Sequence, residues 1–232
     1  MEKNNSKIIA VFALVVAVVA LSVGFAAFAD DLTISGSATL EKNDVFDPNV
    51  KYTSASQSCK YDDNTNAITS ADYNVGTLSD DSWTGISVPL QTAEGRRKVT
   101  CTAQIENRSQ YDAWLKSIAT TTGLTCEAAD ATNDPVTNLA TVCGTNNANV
   151  KVTVIIGAST SSTDKIEVQG AQVSNTSTTG KINAATVSGD VVTPGVTNAY
   201  VIFEYLGTAE PDGNVRITLP TVTHHYSTAP TT

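Results

Sequence analysis

Apolar and polar residues alternate along several stretches of the chain, and this period of two is the dominant pattern in the sequence. Alternation of this kind is typical of β-strands that bury one face. In residues 32–40, threonine and serine fill one face, and the other face holds Leu32, Ile34, Gly36, Ala38 and Leu40. The same period recurs in residues 99–105, 150–156, 166–168, 199–205 and 215–219.

Turn signals and polar tracts separate these stretches. Pro211-Asp212-Gly213-Asn214 is a strong turn sequence, so residues 198–208 and 214–223 are predicted to form a terminal hairpin. Residues 111–118 fit either a short helix or a strand. The polar tracts predict surface loops at residues 53–72, 106–112, 127–149, 157–164 and 174–185. The predicted fold class is therefore all-β: one antiparallel, jelly-roll-like β-sandwich of about seven to ten strands with long polar loops.

The N-terminal residues have a different pattern. An uncharged apolar run, residues 8–29, follows two lysines and ends in Ala27-Phe28-Ala29 before Asp30, which is the pattern of a secretory signal peptide. As a helix this run would be about 33 Å long and could span a bilayer, so an uncleaved anchor is the alternative. The small residues Ala27 and Ala29 favour cleavage before Asp30. The predicted organisation is a signal helix at 1–29, a first strand at 30–41 and a sandwich domain at 42–232.

Composition and charge narrow the class of function. Acidic residues number 23 and basic residues 14, giving a net charge of -9 that would repel a polyanion, so no nucleic-acid partner is expected. The two histidines, His224 and His225, are adjacent and would point to opposite faces of a strand, so we expect two surface residues and no shared metal site. HExxH, GxSxG and phosphate-binding glycine motifs do not occur. The chain is predicted not to be an enzyme and to need neither a cofactor nor a metal.

Four cysteines follow the apolar run, and an even number on an exported chain predicts two disulfides. The four are Cys59, Cys101, Cys126 and Cys143. Three pairings are possible, and Cys59–Cys101 with Cys126–Cys143 is the favoured one. A zinc site would need short C-x-x-C pairs, which these spacings do not supply.

Other polar motifs lie in predicted loops. Asn107-Arg108-Ser109 and Asn175-Thr176-Ser177 match the glycosylation sequon, which makes Asn107 and Asn175 candidate glycosylation sites. Acidic pairs recur at Asp30-Asp31, Asp62-Asp63 and Asp80-Asp81, and carboxylates of this kind can bind calcium. No EF-hand spacing is present, so solvated loop charge is the favoured interpretation.

Residues 30–41 would become a free N-terminal strand once the signal peptide is removed. Such a strand either pairs within its own sheet or adds to the sheet of a neighbouring molecule. In the second case main-chain hydrogen bonds provide affinity, and the apolar face fills pockets in the neighbour. Gly36 at the centre of the strand would permit close backbone approach.

Residues 22–29 followed by 32–40 resemble the N-terminus of the TasA/camelysin-like exported surface fibre proteins and the related bundling pilins. Two internal segments are also similar, residues 73–78 and 105–113, and together the resemblance covers about a quarter of the chain. It implies a strand directly after the signal cut that is donated to a neighbouring subunit. The four cysteines and the long loops at 120–149 and 157–185 depart from the simplest members of this group.

The leading hypothesis is therefore an exported structural subunit of a surface filament, pilus or biofilm matrix, assembled by N-terminal strand donation. Its expected partners are copies of itself, with other surface proteins or glycans as further candidates. The protein is expected to be secreted or at the cell surface and to meet the membrane only through the signal peptide. A monomeric secreted adhesin or carbohydrate-binding module is the alternative. A secreted metallopeptidase is a third hypothesis, for which the sequence contains no metal-ligand motif.

Overall fold

A computed structural model describes residues 49–62, 73–90, 92, 96–120, 123–175 and 179–228. The predicted signal peptide and first strand lie outside these described residues. The same holds for the cleavage residues Ala27, Ala29 and Asp30 and for the assembly-strand residues Leu32, Ile34, Gly36, Ala38 and Leu40.

The described part of the chain is built almost entirely of β-strands, which confirms the predicted all-β class. In chain order the strands are β1 (Val50–Tyr61), β2 (Thr77–Leu78), β3 (Ser82–Pro89), β4 (Lys98–Asn107), β5 (Ala113–Thr120), β6 (Thr125–Ala128), β7 (Val150–Gly157), β8 (Lys165–Gln169), β9 (Gln172–Asn175), β10 (Lys181–Ile182), β11 (Thr186–Ser188), β12 (Val191–Thr193), β13 (Gly195–Tyr205) and β14 (Val215–Ser227). One short helix, α1 (Leu139–Cys143), and a 3-10 turn (Thr145–Asn147) lie between β6 and β7.

Two antiparallel sheets contain twelve of these strands. Sheet I has the spatial order β1-β4-β13-β7-β8-β9. Sheet II has the order β10-β5-β14-β3-β2, and β6 also pairs with β14. The remaining pair, β11 and β12, forms a separate two-stranded sheet. The fourteen described strands exceed the seven to ten expected, because several have only two to four residues and are too short to show a period in the sequence.

A single hydrophobic core joins the two sheets. Cys101, Ala103 and Ile105 point inward from β4 at 0% exposure, as the alternation in residues 99–105 predicted. Trp83 and Leu219 of sheet II belong to the same buried cluster. Burying one large apolar side chain contributes roughly 1.5–3 kcal/mol, so this shared core stabilises both layers together. The arrangement is a β-sandwich, as predicted.

The predicted terminal hairpin is wrong. Strand β13 pairs with β4 and β7 in sheet I, whereas β14 pairs with β3, β5 and β6 in sheet II. The nine residues 206–214 therefore cross from one sheet to the other. Two contacts anchor this crossing: Leu206 donates its N–H to the carbonyl of Asn149 at 2.8 Å, and the Tyr205 hydroxyl donates to the carbonyl of Ala209 at 2.7 Å. A nine-residue connection is also longer than the loops that usually close a hairpin.

The predicted loop at residues 53–72 is partly wrong. Residues 53–61 are part of β1, although their polar composition predicted a loop. Among the described strands, β1 pairs with β4 alone, which places it at the edge of sheet I, and the register shifts between Thr53 and Ser58. An edge strand that exposes one face to solvent can carry polar residues at most positions, so the alternation of apolar and polar residues is not visible in its sequence. The ambiguous segment 111–118 is a strand from Ala113 onward.

Helices are few and short in the part of the chain that the structure describes. Helix α1 has five residues, and no helix there is long and apolar enough to cross a membrane.

Candidate assembly surface

The side chain of Asn107 organises one end of the sandwich. Asn107 ends β4 and is completely buried. Its Nδ2 donates to the carbonyl oxygens of Tyr111 at 2.8 Å and Asn183 at 3.0 Å, and its Oδ1 accepts the N–H of Ser109 at 3.0 Å. One amide therefore ties the β4–β5 turn to the segment that follows β10.

This finding corrects the predicted role of Asn107. The sequon predicted an exposed loop residue, but Asn107 is 0% exposed and its Nδ2, the atom that would carry a glycan, donates hydrogen bonds inside the fold. The folded domain has no room for a glycan at this position. Asn175 is the last residue of β9, and its side chain lies outside the described part of the structure.

The segment that leads into β11 and the first residue of β13 also lie at the end of the sandwich where Asn107 is buried. Ala185 donates its N–H to the carbonyl of Ser109 at 2.8 Å, which fixes the approach to β11. Gly195 lies opposite Asn107 in the β4–β13 pairing. A Cβ on Gly195 would come within 2.0 Å of the Asn183 carbonyl oxygen, so only glycine permits this close backbone approach.

Strands β11 and β12 form a hairpin whose residues are all exposed. Val187 lies opposite Val192, so these two side chains share one face of the hairpin. Val191 lies on the other face, since side chains alternate along a strand. A two-stranded hairpin of this size is marginal in water by itself. Its exposed valines therefore indicate a surface that a further chain could cover.

Most of the exposed large apolar side chains cluster at this end. Seven such side chains are found among the described residues, and five of them lie at residue 111 or within 187–196. We call these five the apolar end surface: Tyr111, Val187, Val191, Val192 and Val196, each 52–65% exposed. They lie on both faces of the hairpin, on the neighbouring turn and at the start of β13, so they surround this end of the sandwich and do not form one flat patch. Exposed apolar residues concentrated in one region are typical of contacts with another macromolecule, whereas scattered ones are ordinary.

Paired charges border the apolar end surface. Arg108 contacts Glu106 at 2.7 Å, and the Lys181 Nζ contacts the Asp112 carboxylate at 2.7 Å. The hydrogen bond from Lys181 is the main reason that the pKa of Asp112 lies below its usual range. The Lys181–Asp112 pair is exposed on both sides and contributes little to stability, whereas the Glu106 carboxylate of the other pair is buried. The effect of the two pairs here is to neutralise the rim around an apolar centre, which is the usual composition of a protein interface.

Strand β1 begins at the same end. Val50 lies opposite Asn107, and the Asn49 carbonyl accepts the N–H of Arg108 at 2.8 Å. The first residues of the described domain are therefore fixed beside the β4–β5 turn.

Two disulfides stabilise the domain, and they have the pairing that the sequence favoured. Cys59–Cys101 joins directly opposed residues of β1 and β4, and Cys126–Cys143 joins β6 to α1. The loops that they close span 42 and 17 residues. On the chain-entropy model these closures contribute about 4 and 3 kcal/mol. The first disulfide holds the edge strand β1 in sheet I, and both are compatible with an extracellular protein.

The acidic pair Asp80-Asp81 has a structural position between the two sheets. The Asp80 carbonyl accepts the N–H of Tyr52, and the Asp81 carbonyl accepts the N–H of His224, both at 3.0 Å. Within the described ranges, no group of three or more acidic, histidine or cysteine side chains is arranged to hold a metal ion. Asp63 lies outside the described residues.

The two histidines point to opposite faces of β14, as predicted, but the prediction that both are surface residues is wrong. His225 is exposed, whereas His224 is only 2% exposed. The His224 ring packs edge-on against Tyr52 and Tyr226, with ring centroids 4.6 and 5.3 Å away. Burial is the main cause that lowers the pKa of His224 from 6.5 to about 4, and the nearby Asp81 opposes this shift.

This burial predicts a loss of stability in mild acid. Between pH 6.5 and about 4 the unfolded chain binds a proton at His224 that the folded protein does not, so the free energy of unfolding falls as the pH falls through this window. The expected loss is about 3 kcal/mol by pH 4. Urea unfolding at pH 7 and pH 4.5 measures it. His224→Phe should remove most of the loss and His225→Gln should retain it; an equal loss in both variants would exclude His224 as the cause.

The structure thus defines an antiparallel β-sandwich with two disulfides and an uncovered apolar surface at one end. Comparison of the chain with protein-family models, with curated proteins and with solved structures finds no match in any of the three.

Proposed function

We propose that this protein is an exported, non-enzymatic subunit of an extracellular filament or biofilm matrix, in which residues 30–41 of one subunit add a strand to a sheet of the next. The observation that carries the proposal is the apolar end surface. A monomer would leave five large apolar side chains in water at one end, and a neighbouring subunit would cover them.

The position of β1 supports this arrangement. Residues 42–49 connect the proposed donor strand to β1, and β1 begins beside Asn107, at the end that carries the apolar end surface. A strand donated across a junction at that end would place the same surface within the junction. Strand addition supplies main-chain hydrogen bonds, and the apolar contact supplies further burial. A head-to-tail contact between unlike surfaces does not close on itself and therefore builds a filament.

Charged substitutions in the apolar end surface test the proposal. Val187→Lys and Val192→Lys should leave folding nearly unchanged, because both side chains are more than half exposed. A double variant should raise the critical concentration for assembly at least tenfold, since it places two ammonium groups in the junction. Negative-stain imaging and sedimentation of mature protein over a concentration series measure this.

Leu206→Lys provides the matched control, because Leu206 is also an exposed apolar residue, at 44%, but is not part of the apolar end surface. It should assemble like the wild-type protein. Equal critical concentrations for the double variant and the wild type would remove this surface from the junction. Mature wild-type protein that never forms filaments would make the monomeric adhesin or carbohydrate-binding module the leading hypothesis.

A further inference from the structure

A cavity of about 450 Å³ lies between the two sheets, close to the end that Asn107 organises. Its apolar wall is formed by Leu115 of β5, Ile156 of β7 and Ile182 of β10. The loop that follows β7 supplies the hydroxyl groups of Ser161 and Ser162. The size is in the range of small-molecule sites. About half of the lining residues are polar, so the cavity combines an aliphatic side with a polar side.

The most important polar group in the cavity is the Asp164 carboxyl group. Asp164 is 6% exposed, and its Oδ1 accepts the N–H of Thr179 at 2.6 Å. None of the ion pairs between described residues includes Asp164. A buried carboxylate without a counter-charge is costly, and a bound cation would lower that cost.

Lys181 also lines the cavity, but its ammonium group points elsewhere. The Nζ contacts Asp112 at 2.7 Å and lies 5.6 Å from the ring centre of Trp114. Trp114 is on the outer side of β5, because its neighbours Ala113 and Leu115 are fully buried on the inner side. The Lys181 ammonium group therefore pairs with Asp112 outside the cavity and does not neutralise Asp164. A ligand with a positive charge could do so.

The Tyr226 hydroxyl is the second unused polar group. Tyr226 lines the cavity from β14, and its hydroxyl is buried with no hydrogen-bond partner within the described structure. Burial is the main cause that raises the pKa of Tyr226, and the nearby Tyr52 and then Asp164 add to the effect, so the phenol stays protonated. A buried hydroxyl without a partner costs about 1–3 kcal/mol. A ligand that accepts from or donates to this oxygen would recover part of that cost.

These features select one ligand chemistry. A single carboxylate balances a single positive charge, and the aliphatic wall needs an apolar body. A divalent metal ion fits less well, because it prefers six or more oxygen ligands and the cavity is much larger than one ion. We propose that the cavity binds a small organic primary ammonium compound, with its nitrogen between Asp164 and Tyr226 and its carbon chain against Leu115, Ile156 and Ile182.

Calorimetric titration of monomeric mature protein, below the critical concentration for assembly, with n-butylammonium chloride tests this proposal; monomers are used because Val196 lines the cavity and also belongs to the apolar end surface. We expect saturable binding in the millimolar range, consistent with a ligand of five heavy atoms. n-Butanol, which has the same length and no charge, should bind at least tenfold more weakly. Asp164→Asn keeps the oxygen that accepts from Thr179 and removes the charge, so it should reduce the affinity for n-butylammonium at least tenfold.

Tyr226→Phe should reduce the affinity several-fold without lowering the thermal midpoint, because it removes a buried hydroxyl that has no partner. Tyr52→Phe is the matched control: Tyr52 also has a buried hydroxyl without a partner, but it does not line the cavity, so its affinity should be unchanged. Equal binding of n-butanol and n-butylammonium, or no saturable binding of the amine, would overturn the proposal. If Asp164→Asn does not fold, equal affinities of Tyr226→Phe and Tyr52→Phe would overturn it as well.

Discussion

Mature protein that lacks residues 30–40 is expected to remain folded and monomeric under conditions in which the complete mature chain forms filaments. The described core of both sheets lies within residues 52–222, and the deletion keeps all of these residues. It removes the strand that would join one subunit to the next. Size-exclusion chromatography with negative-stain imaging measures the difference. A synthetic peptide of residues 30–41 should bind the truncated protein in trans.

Ile34→Asp should have nearly as large an effect as the deletion. Ile34 is on the apolar face of the proposed strand, and a carboxylate there would be buried at a cost of several kcal/mol. The critical concentration should rise at least a hundredfold, since each 1.4 kcal/mol is a factor of ten. Ser35→Asp, one position along on the polar face, should assemble normally. A deletion that unfolds an otherwise monomeric protein would instead place the strand in its own sheet.

The long alternating strands could be predicted from the sequence because their pattern follows directly from burial. Strands β4, β7, β8 and β13 lie where the period of two indicated, with alternate residues in the core. Edge strand β1 was missed because only one of its faces is buried and its register shifts between Thr53 and Ser58. The burial of His224 was missed because a histidine in a terminal strand has no local signal for which face is inward.

Sheet membership could not be predicted from local signals. The chain bends at Asp212-Gly213, but a turn sequence does not specify whether the next strand joins the same sheet or the opposite one. Here Asp134 accepts two hydrogen bonds from Asn214, so the turn is also held by contacts with a distant loop. The disulfide pairing was open for the same reason: it depends on the β1–β4 register, which the cysteine spacing does not contain.

The apolar end surface left only a weak signal. Its hairpin has three residues in each strand, too few to show a period. Ser188-Gly189-Asp190 between two valine-containing segments is a turn sequence and could have indicated a hairpin. The role of Asn107 had no such signal, because one of its partners, Asn183, is 76 positions away in the sequence. A sequon and a buried structural asparagine look the same in one sequence.

Asn107→Asp is expected to be among the most destabilising isosteric substitutions in this domain. The new side chain keeps one oxygen for the N–H of Ser109 but turns the other toward the carbonyl oxygens of Tyr111 and Asn183, which now accept from Nδ2. A buried carboxylate facing two carbonyls has no compensating donor there. We expect a loss of about 3–5 kcal/mol in the free energy of unfolding at pH 7, measured by urea denaturation, with weaker assembly because the apolar end surface is anchored by this amide.

The pH dependence separates a buried charge from a simple change in packing. The folded pKa of the new carboxyl group should lie above its unfolded value of about 3.9. Its penalty is therefore present above the folded pKa and shrinks as the pH falls, because the protonated acid can donate to one carbonyl. The difference between variant and wild type at each pH removes the separate effect of His224. Asn198→Asp is the control. In the wild-type protein the Asn198 Nδ2 donates to the Tyr200 hydroxyl at 3.1 Å on a half-buried site, so this substitution should lower the free energy of unfolding by no more than about 1 kcal/mol. An Asn107→Asp protein within 1 kcal/mol of wild type at pH 7 would show that this amide does not hold the end of the sandwich together.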